Sequence, residues 1–353
     1  MTGKTIIKCL YCHSSNIKKE GKRKSKFQII QKYSCKSCSK NFSDKKLEHK
    51  TYPSKIILNA ISYYNLGNSQ IEVSKLINQR YKIKVPQRTI SEWLKEYKTI
   101  CTFSRLRKQS IKLYNPSDMI FSQKLQHNQI YKYQLHKVKL KLTSKELPAK
   151  KFVVIKDYLN KIPTNNFPHH IFQPKQEELN ELARSSQIKF KTLDFIKEEK
   201  QNQANKLVNL ALNLANNNKQ RHEAIQNFMI TNDSTTIACE VPVYLTNDDI
   251  KYFQKKKFNL NLENYQTPIT GHIDILQIRN GLIHILDYKP KANKINAIEQ
   301  LTIYALALAS RTKLALKDFK CAWFDENNYF EFFPLHVVYE KRKVLEIKDF
   351  QTV

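Results

Sequence analysis

The sequence predicts an α/β protein, a mixed central sheet flanked by helices, with two small modules in front of it. Three observations carry this reading. The stretch "GHIDILQIRNGLIHILDYKP", residues 271–290, is two apolar strands joined by Asn280-Gly281, a dipeptide suited to a two-residue turn with positive φ. Helical spacing of apolar residues stands on either side, in "KQRHEAIQNFMI" before it and "EQLTIYALALA" after it, as strands alternating with helices require. Near the start, Cys9-x2-Cys12 and Cys35-x2-Cys38 form two paired knuckles.

Each knuckle offers two thiolates, and two such pairs suit one tetrahedral zinc holding a β-ribbon over residues 1–48. Between them "KKEGKRKSK" reads as a basic loop facing phosphates. The stretch, with Gly21, Tyr33 and Phe42, resembles the zinc ribbons of insertion-sequence transposases. Residues 49–100 then read as three short helices. "PSKIILNAISYYNLG" ends at Gly67, Ser69-x-x-Glu72 is a capping box opening the second helix, and Pro86 stands in the first turn of the third. Ile90, Trp93, Leu94 and Tyr97 give the third helix a packing face, leaving Gln87, Arg88, Ser91 and Lys95 to reach a major groove. This helix-turn-helix pattern, following a ribbon, again resembles transposase DNA-binding regions.

Residues 101–185 read as a basic connecting region of uncertain fold. "IYKYQLHKVKLKL" alternates like an edge strand with a register break near His136, and "QPKQEELNELARS" reads as a helix. The core is expected over 186–353, with residues 193–215 helical and "TIACEVPVYL" a strand carrying Glu240.

Charge divides the chain as well. Residues 1–150 hold 33 Lys/Arg against 8 Asp/Glu, while 151–353 hold 28 against 23. A lysine-rich codon bias would raise both halves, so the excess in the first half points to a polyanion, DNA before a membrane surface. With 41% apolar residues the chain can bury real cores, which excludes global disorder. No signal peptide opens the sequence and no apolar run is long enough to span a bilayer, so a cytoplasmic protein with no membrane association is expected. Seven cysteines in that setting favour metal over disulfides.

The hairpin carries the chemistry. If Asn280-Gly281 is the turn, Asp274 lies opposite Asp287, with Lys289 two residues further on the same strand face. Opposed carboxylates among apolar neighbours repel and are costly to bury, and a hard cation between them removes both problems. A metal to polarise phosphate, beside a fixed cation, is the equipment of phosphodiester hydrolysis.

Gly271-x-x-Asp274, Asp287-Tyr288-Lys289 and Gln300-x3-Tyr304, in that order, resemble the RecB-like branch of the PD-(D/E)XK nucleases, which includes CRISPR-adaptation and recombination exonucleases. The resemblance covers roughly residues 220–335. It implies a restriction-endonuclease-like core and an Mg2+- or Mn2+-dependent deoxyribonuclease. Asp274 and Asp287 would bind the metal, Lys289 would be catalytic, and Gln300 and Tyr304 would support the site and the DNA. It further assigns an upstream histidine to the metal, for which His222 is the nearest match, and Glu240 is a second acidic candidate. An iron–sulfur cluster is not expected, since Cys101, Cys239 and Cys321 are scattered. The expected partner is DNA, together with proteins of a recombination, transposition or defence system. The competing reading is a DNA-binding regulator or transposition accessory protein whose nuclease fold is inactive.

Overall fold

The computed structural model describes residues 7–9, 11, 12, 14–24, 26, 27, 29–43, 50–173, 184–193, 195–262, 264, 265 and 267–339. The helix expected from Pro174 onward lies outside the described residues. The chain forms two units, Met1–Thr99 with Leu210–Ala224, and Ile100–Asn209 with Ile225–Val353.

In the first unit, β1 (Ile17–Lys24), β2 (Ile29–Cys35) and β3 (Asn41–Ser43) make an antiparallel three-stranded sheet. The basic segment expected as a loop is therefore largely strand. It pairs from Ile17↔Cys35 to Lys24↔Ile29, and its charges remain exposed, so pairing buries no cation. The register shifts between Lys19 and Lys22, where Gly21 takes φ 85°, a bulge conformation that glycine adopts without strain. Among the described residues the buried side chains are few: Cys9, Ile30, Tyr33, Cys35 and Phe42, with Tyr33 and Phe42 stacked at 5.4 Å.

Three helices follow, α1 (Ser54–Asn65), α2 (Gln70–Tyr81) and α3 (Gln87–Glu96). They bury Ile56, Ile57, Ile61, Val73, Ile77, Ile90 and Trp93. The capping box forms as the sequence predicts. Glu72 N–H donates to Ser69 Oγ at 3.2 Å, and Ser69 N–H donates to Glu72 Oε2 at 2.6 Å. Pro86 sits one residue earlier than expected, at the N-cap of α3.

The second unit contains α4 (Arg107–Leu113), β4 (Ile120–His127), β5 (Gln129–His136), α5 (Lys137–Leu142), α6 (Ala149–Lys161) and β6 (Glu198–Glu199). Helices α7 (Gln203–Ala211) and α8 (Arg221–Asn232) cross the division in sequence. Then come β7 (Thr236–Leu245), α9 (Asn247–Lys255), β8 (Ile269–Arg279), β9 (Leu282–Tyr288), α10 (Ile298–Thr312), β10 (Phe319–Phe324), β11 (Tyr329–Phe332) and α11 (Pro334–Val338). The sheet runs β4-β5-β7-β8-β9-β10-β11-β6. Only the β9–β10 pair is parallel, and α10 supplies the helical crossover that a parallel pair needs. This is the mixed α/β sheet flanked by helices that the sequence predicts.

Two expectations for residues 101–185 change. The region supplies two strands of the large sheet, so the second unit begins near Ile100 rather than at residue 186. Its alternating stretch does not continue as a strand beyond His136, and β5 is an interior strand with β4 at the edge. From Lys137 the chain turns helical, with Val138, Lys139 and Leu140 all buried. Lys139 enters the core because Nζ meets Asp233 at 3.2 Å and the carbonyls of Ile230 and Thr236 at 2.7 and 3.0 Å. Three acceptors offset its desolvation. A polar position thus belongs to the core, and the two-residue period loses its meaning. Residues 193–215 likewise give a short strand, β6, before the helix α7.

Candidate functional site

The turn at Asn280-Gly281 has φ 53° and 70° at its two residues, and the hairpin pairs in the predicted register from Arg279↔Leu282 to Ile275↔Leu286. The next positions along that register are Asp274 and Asp287. Beyond Leu286, Tyr288 N–H donates to the Asp274 side chain, at 3.3 Å from Oδ2. On the other side of β8, pairing of Cys239↔Ile275 and Val241↔Ile273 puts Glu240 beside Asp274. Three carboxylates therefore lie in a row on three neighbouring strands, Glu240 on β7, Asp274 on β8 and Asp287 on β9.

Glu240 reaches this position by an unusual backbone. Its φ is 52° within a strand, a left-handed conformation costly for a residue with a Cβ. Neighbouring strand residues ordinarily point to opposite faces. Here Glu240 Oε1 accepts from Gln226 Nε2 on α8 at 2.6 Å, while the adjacent Cys239 Sγ lies 3.8 Å from the Gln226 carbonyl.

The electrostatics follow from burial and crowding. Burial, then the Asp274 charge, push Asp287 well above the ordinary carboxylate range. The same two causes raise Glu240 to about 8. Lys289 Nζ lies 2.7 Å from Asp287 Oδ2. Burial alone would lower its pKa, but Asp287 and then Asp274 outweigh burial and raise it, so the ammonium stays charged.

Gly271 explains how the helix joins the site. A Cβ built there would fall 2.3 Å from Tyr304 Cε1 and 2.5 Å from Ser185 Oγ. The missing side chain is the space in which α10 and the segment at Ser185 meet β8. Tyr304 accepts from Gln300 Nε2 at 2.9 Å and is hydrogen-bonded to Ser185. Next to this contact is a cavity of about 200 Å3 whose walls include Tyr131, Glu240, His272, Asp274, Gln300 and Tyr304.

Of the residues the sequence singles out, Glu240, Asp274, Asp287, Lys289, Gln300 and Tyr304 gather in one region. His222 stands on α8 one turn before Gln226, in the segment 210–224 that belongs to the first unit, and is not among the cavity-lining residues. Sequence reasoning missed Ser185 and His272. His272 was visible two residues before Asp274 on the same strand face, whereas Ser185, remote in sequence, gave no signal.

The four cysteines converge. Cys9, Cys12, Cys35 and Cys38 place their sulfurs within 4.8 Å of one another, with Cys9–Cys38 at 3.6 Å and Cys12–Cys35 at 3.4 Å. Zinc–sulfur bonds of about 2.3 Å in a tetrahedron put sulfurs about 3.8 Å apart, so the cluster fits a structural zinc with little movement. Among the described residues this is the only group of three or more Cys, His, Asp or Glu ligand atoms that close; the carboxylates are more widely spread. A divalent cation with oxygen preference nevertheless suits their chemistry, since Asp287 is buried, Glu240 and Asp274 are half-buried, and Asp274 lies against both of the others. On α3, Gln87, Arg88 and Lys95 are exposed and Ser91 is half-buried, with Arg88 Nε 3.2 Å from Glu92.

No helix among the described residues is long and apolar enough to cross a membrane. No family model, curated protein or solved structure matches the chain.

The raised carboxylates carry a stability consequence. A group whose folded pKa exceeds its unfolded value contributes stability below the unfolded pKa and loses it as pH rises through the folded one. For Glu240 that window runs from its ordinary 4.5 to about 8. Without divalent cation, the denaturation midpoint should fall across this window, more in the wild type than in Asp274→Asn. Magnesium or manganese at pH 8 should restore it. Equal pH profiles for the two metal-free proteins would remove the carboxylate repulsion.

Proposed function

We propose that the protein is a metal-dependent DNA nuclease of the RecB-like PD-(D/E)XK type, delivered to DNA by its ribbon and helix-turn-helix. The observation that supports this best is the row Glu240–Asp274–Asp287 across three strands, with Lys289 2.7 Å from Asp287. Asp274 and Asp287, with Glu240 beside them, would hold Mg2+ or Mn2+. When bound, the metal supplies a Lewis acid for the phosphate and lowers the pKa of a coordinated water.

The chain's own residues do the rest. Lys289 keeps a fixed positive charge where the phosphorane charge develops, and needs no reorganisation to do so. Gln300, Tyr304 and Ser185 lock α10 against β8 through the space left by Gly271, which fixes the carboxylates relative to the cavity. The excess of cations before residue 151 supplies phosphate contacts, with Gln87, Arg88, Ser91 and Lys95 as base readers.

The test is incubation of the purified chain with linear and circular DNA, with magnesium, with manganese, or with neither. Cleavage of at least one DNA form in the presence of metal alone is expected. Binding without cleavage under every condition would overturn the proposal in favour of the DNA-binding regulator.

A further inference from the structure

Three histidines remote in sequence form a chain that ends at this site. His127 is the last residue of β4, His169 opens a short 3-10 turn, and His272 lies on β8 two residues before Asp274. His169 Nε2 lies 3.3 Å from the Thr164 carbonyl. His169 Nδ1 lies 2.9 Å from His127 Nε2, and His127 Nδ1 lies 2.9 Å from His272 Nε2.

The Thr164 carbonyl sets the direction. A carbonyl oxygen only accepts, so the hydrogen is on His169 Nε2, and in a neutral ring Nδ1 carries the lone pair. His127 must then donate from Nε2, which leaves its own Nδ1 as the acceptor. His272 in turn must donate from Nε2. Burial, and then the neighbouring His169, hold His127 down to about 4, so this middle ring has only one hydrogen to place. Stacking prevents the rings from turning out of line: His272 lies on Tyr131 at 3.6 Å and 6°, and His127 on Phe172 at 4.3 Å and 14°. With Nε2 committed, Nδ1 is the one His272 nitrogen left for a ligand in the cavity that this ring lines.

We propose that the Thr164–His169–His127 chain fixes the tautomer of His272 so that its Nδ1 accepts a hydrogen bond from the attacking water beside Asp274. His127 and His169 are positioning residues, and only His272 meets the reacting molecule. The water-orienting part rests on the nuclease reading; the direction of the chain does not.

Two measurements separate these. Two-bond 1H–15N correlation spectra of the 15N-histidine full chain at pH 8 read each tautomer without any substrate. His127 and His272 should both appear as Nε2–H, and a His272 with its hydrogen on Nδ1 would overturn the chain. His169→Ala should release the order and let His127 and His272 exchange tautomers. His169→Asn should retain it, because its amide oxygen can take the place of the ring Nδ1. With linear DNA and magnesium, His169→Ala should lower kcat about 10- to 100-fold, with KM unchanged and thermal midpoint matching His169→Asn. His169→Asn should restore most of the rate. An unchanged kcat in His169→Ala with its tautomers scrambled would overturn the water-orienting role. A wild type that cleaves no DNA would remove that role together with the nuclease reading, while the spectra would still decide the chain.

Discussion

Replacing Asp287 by alanine should abolish magnesium-dependent DNA cleavage, by at least about 1,000-fold, a barrier increase of about 4 kcal/mol. Asp287 is 2% exposed and lies between Asp274 and Lys289. On the proposed reading its removal takes away one metal ligand, and it leaves Lys289 without its carboxylate partner. Binding to DNA should change little, because the cations concentrated before residue 151 are untouched. Lys289→Ala should stop cleavage as well, yet keep the metal, since the carboxylates remain. Asp274→Asn separates the two effects of charge. It preserves shape, should weaken metal affinity, and should stabilise the metal-free protein slightly by relieving repulsion toward both neighbours. Cleavage by Asp287→Ala at wild-type rate would sink the nuclease assignment, whatever its effect on stability.

How far the residues revealed this arrangement depends on the range of the interactions involved. Asn280-Gly281 demanded a two-residue turn, and a turn of known length fixes every pair in its hairpin, so Asp274 and Asp287 could be aligned from the sequence. The capping box at Ser69 and Glu72 was legible for the same reason, being settled within four residues. The flank of Asp274 was not. Glu240 reaches it through strand pairing remote from any local signal and a left-handed backbone that no pattern of residue types announces. Ser185 and His127 come to the site from regions whose sequence suggested only a basic connector. Lys139 misled because a lysine in an alternating stretch reads as surface, while its partner Asp233 is 94 residues away. Charge, finally, is a poor guide to local shape: the basic segment at 18–24 is a strand because nothing in an exposed ribbon prevents cations from pairing through their backbones.

Removing zinc should unfold the ribbon while leaving the three helices behind it intact. Among its described residues the ribbon buries Cys9, Ile30, Tyr33, Cys35 and Phe42, with Ile17 and Cys38 packed against the cysteine end, so only three buried apolar side chains stand beside the two buried cysteines. A core of this size cannot meet the conformational entropy of ordering the strands, about 1–2 kcal/mol per residue for the backbone alone. A structural zinc contributes about 10–16 kcal/mol in small modules of this kind, enough to reverse the balance. The helices α1 to α3 have an apolar core of their own, including Ile57, Val73, Ile77 and Ile90, each fully buried. Elemental analysis of the full chain should give one tightly held zinc, lost in Cys35→Ser. Hydrogen exchange of that variant should show protection gone from residues 29–43 and retained across 54–96. DNA affinity should fall with it, since β1 carries Lys18, Lys19, Lys22, Arg23 and Lys24. A zinc-free Cys35→Ser protein with full protection of the ribbon would show that its few apolar contacts suffice, and the cysteine cluster would lose its structural role.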